Sequence, residues 1–108
     1  MSLSKTVIDE VFRERLRQIG RWGLAHDNDH CHGELARHAS VLALYAGLSE
    51  LDRDNARQFG PHHNGANLIW PWDEVEFKLG DIRCDLVKAA ALLIAEIERI
   101  DRAGVTAK

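Results

Sequence analysis

The chain is short of several things, and each shortage removes a class of protein. It has only two cysteines in 108 residues, Cys31 and Cys84, with no CxxC spacing. That excludes a disulfide framework and implies reduced thiols. Long apolar runs are missing: the longest, Ala89 to Ala95, falls far below the roughly 20 residues of a membrane span. The opening MSLSKTVIDE carries acids where a secretory signal needs an apolar core, so the expected location is cytoplasmic. An excess of basic charge is absent as well. Fourteen Lys and Arg stand against seventeen Asp and Glu, a net charge of -3, and nucleic acid is therefore not the expected partner. There is no internal repeat, low-complexity run, P-loop, dinucleotide fingerprint or nucleophile elbow.

What remains is an ordinary globular composition, 45% hydrophobic and 29% charged, of a length that supports one domain over residues 1–108 and one modest core. The strongest pattern runs from Gly80 to Arg102. Ile82, Leu86, Ala89, Leu93, Ile97 and Ile100 recur at helical spacing, and Val87, Ala90 and Ile94 widen the stripe. An amphipathic helix over about 81–102, packed on two sides, is the expectation. Asp81, Asp85, Lys88, Glu96 and Arg99 share its remaining arc, with Asp85 and Glu96 at the edge of the stripe.

A first helix is expected over about 5–19, capped by Ser4 or Thr6 and lined by Ile8, Val11, Phe12, Leu16 and Ile19. Its outer face carries Arg13, Arg15 and Arg17, with Arg21 just beyond. Two readings stand: a solvated face paired with Glu10 and Glu14, or a phosphate clamp built from guanidinium forks. Residues 20–32 read as a loop, with Asn28 or Asp29 capping a second helix over about 31–48. On that helix Glu34 and His38 continue the seam of Val41, Leu42, Tyr45 and Leu48, so an ionisable pair lies on the buried side. Residues 49–80 read as a long loop punctuated by Pro61 and Pro71, with a short helix in LDRDNARQF as its one candidate element. Trp70 and Trp72 either plug the open end of the bundle or stack on a ligand. The expected fold is all-α, a small bundle of three long helices completed by homodimerisation.

Two constellations suggest chemistry. Glu34, Asp81 and Asp85 sit near the starts of two helices and, if those helices pack as neighbours, supply oxygen ligands of the kind Mg²⁺ takes. HDNDHCH, residues 26–32, offers His26, His30 and His32 as a lesser candidate for Zn²⁺, against a loop whose histidines hydrogen-bond locally.

The order of a helix bearing Glu34, a loop, and then DLVKAAALLIAEIERID resembles the MazG-type, all-α NTP pyrophosphohydrolases. Over its whole length the chain also resembles small phage and prophage proteins of unassigned function, through His26 to His30, Gly33 to Ala36, Trp70 to Trp72 and Asp85 to Arg99. The MazG-type motif is Glu-Glu-x-x-Glu followed by Glu-x-x-Asp. Here Glu34 and Asp85 occupy the first and last acidic positions, while Leu35, His38 and Ile82 stand where the others would be. The resemblance implies Mg²⁺-dependent cleavage of a nucleoside triphosphate to monophosphate and pyrophosphate. It implies metal ligation by Glu34, Asp81 and Asp85 and catalytic roles for Glu34 and His38. Arg17, Arg21 and Lys88 would then face phosphate, and Trp70 or Trp72 the base. A non-catalytic helical interaction module is the alternative from a different class.

Overall fold

The computed structural model describes residues 3–61, 69–73 and 76–104. All regular structure among them is helical: α1 Lys5–Trp22, α2 Leu24–Asp29, α3 Glu34–Ala46, α4 Glu50–Phe59 and α5 Ile82–Arg102. Helices cover the three stretches expected to be helical, with boundaries shifted by a few residues; α4 falls on the candidate LDRDNARQF, and α2 occupies a stretch read as loop.

Each start has a local cause. The Ser4 side chain accepts from Val7 N and opens α1, Ser49 accepts from Asp52 N and opens α4, and Asp81 accepts from Cys84 N and opens α5. Each oxygen satisfies a donor that the first helical turn leaves free. The cap of α3 is Gly33 in the left-handed region (φ 83°), without a side-chain bond, rather than Asn28 or Asp29. Gly23, at φ 81°, ends α1 and lets the chain turn at once into α2.

The core has two parts that share α3. On one side Leu35, Ala39 and Leu42 meet Ala89, Leu92 and Ala95 of α5, small residues that allow close approach. On the other, Val41 and Tyr45 meet Ala56 of α4 and Trp70, with Leu48, Trp72, Phe77 and Leu79 packed around them. The helices α3 and α5 run antiparallel. At one end Arg53 bonds both Tyr45 O, near the end of α3, and Asp85, near the start of α5. At the other, Arg99 lies within electrostatic reach of Cys31 and Glu34.

Helix α1 packs on α5 with an unexpected face. Arg15 and Gln18 are its buried residues, whereas Ile8, Phe12 and Leu16 remain half or more exposed. Arg15 therefore leaves the expected outer row: its Nη2 donates to Asp27 of α2 at 2.9 Å and its Nε to Glu98 of α5 at 2.7 Å. Among the described residues no helix is long and apolar enough to cross a membrane.

Candidate functional site

The three carboxylates expected to converge do not meet. Antiparallel packing puts Glu34 at the opposite end of the α3/α5 pair from Asp81 and Asp85, and α3 from 34 to 45 alone spans about 16 Å at ~1.5 Å per residue. Each acid has a local partner instead. Asp85 is fully buried; its Oδ1 accepts from Gly80 N at 2.9 Å and its Oδ2 from Arg53 Nη2 at 3.0 Å. Asp81 is the α5 cap. The Glu34 Oε1 accepts from His32 N at 2.7 Å, and its Oε2 lies 3.7 Å from His30 Nδ1. Partial burial works to raise the Glu34 carboxyl, but backbone N–H bonds and the neighbouring histidines prevail and hold it below its ordinary value. A Mg²⁺ cage of Glu34, Asp81 and Asp85 thus does not fit this arrangement. Glu96, the other edge carboxylate of α5, pairs with Arg99 one turn on. Both thiols are exposed, and the hydrogen bond to Asp81 pushes the Cys84 thiol up, away from the thiolate form.

The residues expected to bind substrate fare differently. A cavity of about 770 Å³ opens between α1, α2, α3, α5 and the Pro71–Asp73 segment. Arg17 and Arg21 of α1, Lys88 of α5, His38 of α3 and Trp72 all line it, joined by Trp22, His26 and His30. Leu35, Leu42 and Leu92 form its apolar floor. Trp70 is not in its wall. It lies in the core, 8% exposed, donating from Nε1 to Asp73 O and packing edge-on against Phe77 and His38. A smaller hollow of about 480 Å³ between α1 and α5 has Arg13, Arg17, Arg83 and Lys88 in its wall but no aromatic ring.

Charge in the larger cavity is unevenly committed. Asp27 is neutralised by Arg15, and Arg17 grips Glu14 through two bonds of 2.8 Å, which matches the solvated-pair reading for that arginine. Arg21 lies over the Trp22 ring, 4.7 Å from its centroid, a cation–π contact. Burial, with Lys88 adding to it, pushes His38 down to about 4, so the imidazole is neutral at physiological pH. Its Nδ1 accepts from Trp72 Nε1 at 3.1 Å, which fixes the proton on Nε2.

One row of rings connects these groups. Trp22 stacks on His26 at 5.0 Å, His26 meets His30 edge-on at 4.4 Å, His30 meets Trp72 at 4.7 Å, and Trp72 bonds His38. Of the three histidines in HDNDHCH, His32 stands apart: its Nδ1 is 3.7 Å from Cys31 Sγ. Sequence reasoning missed Trp22, which it treated as part of a featureless loop. The available signal was the i, i+4 spacing of Trp22, His26 and His30, which puts all three on one side of a helical turn.

No family model, curated protein or solved structure matches the chain. The likeness to MazG-type pyrophosphohydrolases accordingly rests on the residues quoted for it above.

Proposed function

We propose that the protein binds a nucleotide, or another small molecule that joins a flat ring to phosphate, in the cavity between α1 and α3. The observation that supports this reading is the meeting of cations and an aromatic ring around one apolar-floored space: Arg21, held over Trp22, with Lys78 and Lys88 for phosphate, beside the Asp73 and Glu76 carboxylates of the same wall, and Trp72 for the ring. Arg17 joins them when its guanidinium leaves Glu14, an exchange of one charge-assisted pair for another. Binding is the part of the MazG-like reading that this wall supports. Pyrophosphohydrolysis, with Glu34 and His38 as its catalytic groups, is the catalytic extension of the same proposal, and any Mg²⁺ it uses would have to arrive with the nucleotide's phosphates rather than in the expected carboxylate cage.

A thermal-shift panel tests binding. Nucleoside mono- and triphosphates, deoxynucleotides and pyrophosphate are compared with and without Mg²⁺. A ligand at one hundred times its Kd stabilises the folded state by about 2.7 kcal/mol, and the melting temperature rises accordingly. Arg21→Ala and Lys88→Ala each weaken that ligand by at least tenfold. No shift with any nucleotide, or full retention of affinity in both variants, removes the reading. Release of pyrophosphate from a triphosphate, abolished by Glu34→Gln, is the corresponding test of the catalytic extension.

A second reading has its own support. Ile8, Phe12 and Leu16 of α1, with Leu86, Leu93 and Ile97 of α5, leave apolar side chains open to solvent. They suit a helical interaction module whose first partner is a second copy of this chain. The two readings are compatible, since the cavity and these faces share no residue.

A further inference from the structure

Within the row of rings, one contact brings two imidazole nitrogens together over the cavity. The Nε2 atoms of His26 and His30 lie 3.1 Å apart, while each ring turns its Nδ1 toward a carboxylate: His26 toward Asp27 Oδ1 at 3.9 Å and His30 toward Glu34 Oε2 at 3.7 Å. A neutral imidazole carries one proton. With a proton on one Nε2 the contact is an N–H···N hydrogen bond; with both protons on Nδ1 the two lone pairs stand at contact distance, and a cation shared between them takes that proton's place. The ring centroids are 4.4 Å apart at an interplanar angle of 77°. A straight N–H···N bond would add both ring radii to the nitrogen separation and set the centroids well beyond that, so the contact is bent away from the line between the two nitrogens.

We infer that His26 and His30 form a two-histidine site for a divalent transition ion of the Cu²⁺, Ni²⁺ or Zn²⁺ type, open on its remaining positions. At metal–nitrogen bonds of about 2.0–2.1 Å, a 3.1 Å separation corresponds to a ligand–metal–ligand angle of about 100°, between the tetrahedral and square values. His26 lies in α2 and His30 is the residue that ends it, at the i, i+4 separation that metal-binding histidine pairs also use. Asp27 and Glu34 lie 3.9 and 3.7 Å from the Nδ1 atoms, beyond hydrogen-bond reach, and would have to close on them to act as the outer carboxylates that orient metal-bound histidines. Asp27 is fixed in turn by Arg15, and Trp22 and Trp72 hold the two rings from either side. Both histidines line the cavity, so water or a cavity occupant fills the positions that the protein leaves open. The site does not depend on what the cavity binds. It also differs from the Mg²⁺ proposal in donor type, because imidazole selects borderline ions and Mg²⁺ prefers oxygen.

Tryptophan fluorescence gives the readout, because two of the chain's three tryptophans touch the site. Ni²⁺, Zn²⁺ and Mg²⁺ are titrated separately into the full chain, with calorimetry for Zn²⁺. Ni²⁺ quenches the emission at one equivalent and EDTA restores it; Zn²⁺ binds with the same stoichiometry, and Mg²⁺ at a hundredfold excess does neither. His26→Gln and His30→Gln each weaken Ni²⁺ and Zn²⁺ at least tenfold while keeping the helical spectrum, whereas Cys31→Ser and His32→Gln change affinity less than twofold. If either histidine variant fails to fold, the other carries the test. Absence of Ni²⁺ and Zn²⁺ binding to the wild type, retained affinity in the histidine variants, or loss of binding in Cys31→Ser or His32→Gln overturns the assignment.

Discussion

Two side chains show how much a single buried polar group decides in so small a core. Arg53 and Asp85 are both fully buried, and bonds to Tyr45 O, Gly80 O and Gly80 N brace their ion pair, leaving Arg53 Nε without a hydrogen-bond partner among the described residues. Removing one member strands the other charge away from water, which typically costs about 3–5 kcal/mol. Arg53→Met is expected to lose stability in that range by urea denaturation at neutral pH, whereas the solvent-exposed Glu10–Arg83 pair is expected to tolerate Arg83→Ala with little change in midpoint. His38 makes a different prediction. Its imidazole titrates at about 4 in the folded protein against an ordinary 6.5, so between those values the unfolded chain binds more protons. Stability from this residue is full above the higher value and is lost as pH falls toward the lower one. The expected loss between pH 7.5 and pH 5 is about 2 kcal/mol, seen as a lower urea midpoint. His38→Gln, which keeps an acceptor for Trp72 Nε1, flattens that limb.

At the level of elements, legibility followed apolar period. The helices at 5–22, 34–46 and 82–102 announce themselves through residues spaced by three and four. The helix Glu50–Phe59 was only a candidate because its buried face is Arg53 and Ala56: an arginine that sinks into a core leaves no apolar stripe to read. The helix Leu24–Asp29 is six residues long, too short for a period, and it is held by the pull of Arg15 on Asp27. Caps were read in part. Ser4 acts as expected, while the start of α3 falls to Gly33, whose left-handed backbone no side-chain signal advertises. Two measurements follow. Ser49→Ala removes the only side-chain cap of α4 and should cost about 1 kcal/mol in denaturant titration. Gly33→Ala meets no steric block, its nearest neighbour being Arg37 Nη1 at 3.5 Å, so its penalty of about 1–2 kcal/mol arises from the backbone alone.

For the molecule as a whole, the sequence assigned α1's apolar stripe to the core, and the structure instead turns Phe12, 60% exposed, outward while burying Arg15. Period reveals that a helix has an apolar face; it does not say which neighbour will cover it. The same limit explains the site. Arg17, Arg21, His38, Trp72 and Lys88 were each legible as residue types suited to a ligand, and they do line one cavity. The carboxylates could not be placed without the relative direction of α3 and α5, which separates Glu34 from Asp85. If a second copy covers the α1 and α5 faces, sedimentation equilibrium at micromolar concentration will give a dimer mass and Phe12→Glu will give a monomer with its helical spectrum intact.

Arg53 reaches partners 8, 27 and 32 residues away along the chain, so its guanidinium cannot find its place until α3, α4 and the entry to α5 are already assembled. A contact completed so late contributes little at the folding barrier and much after it. In a chevron experiment the arginine would appear chiefly on the unfolding limb, as the latch that sets how long the native molecule survives once made.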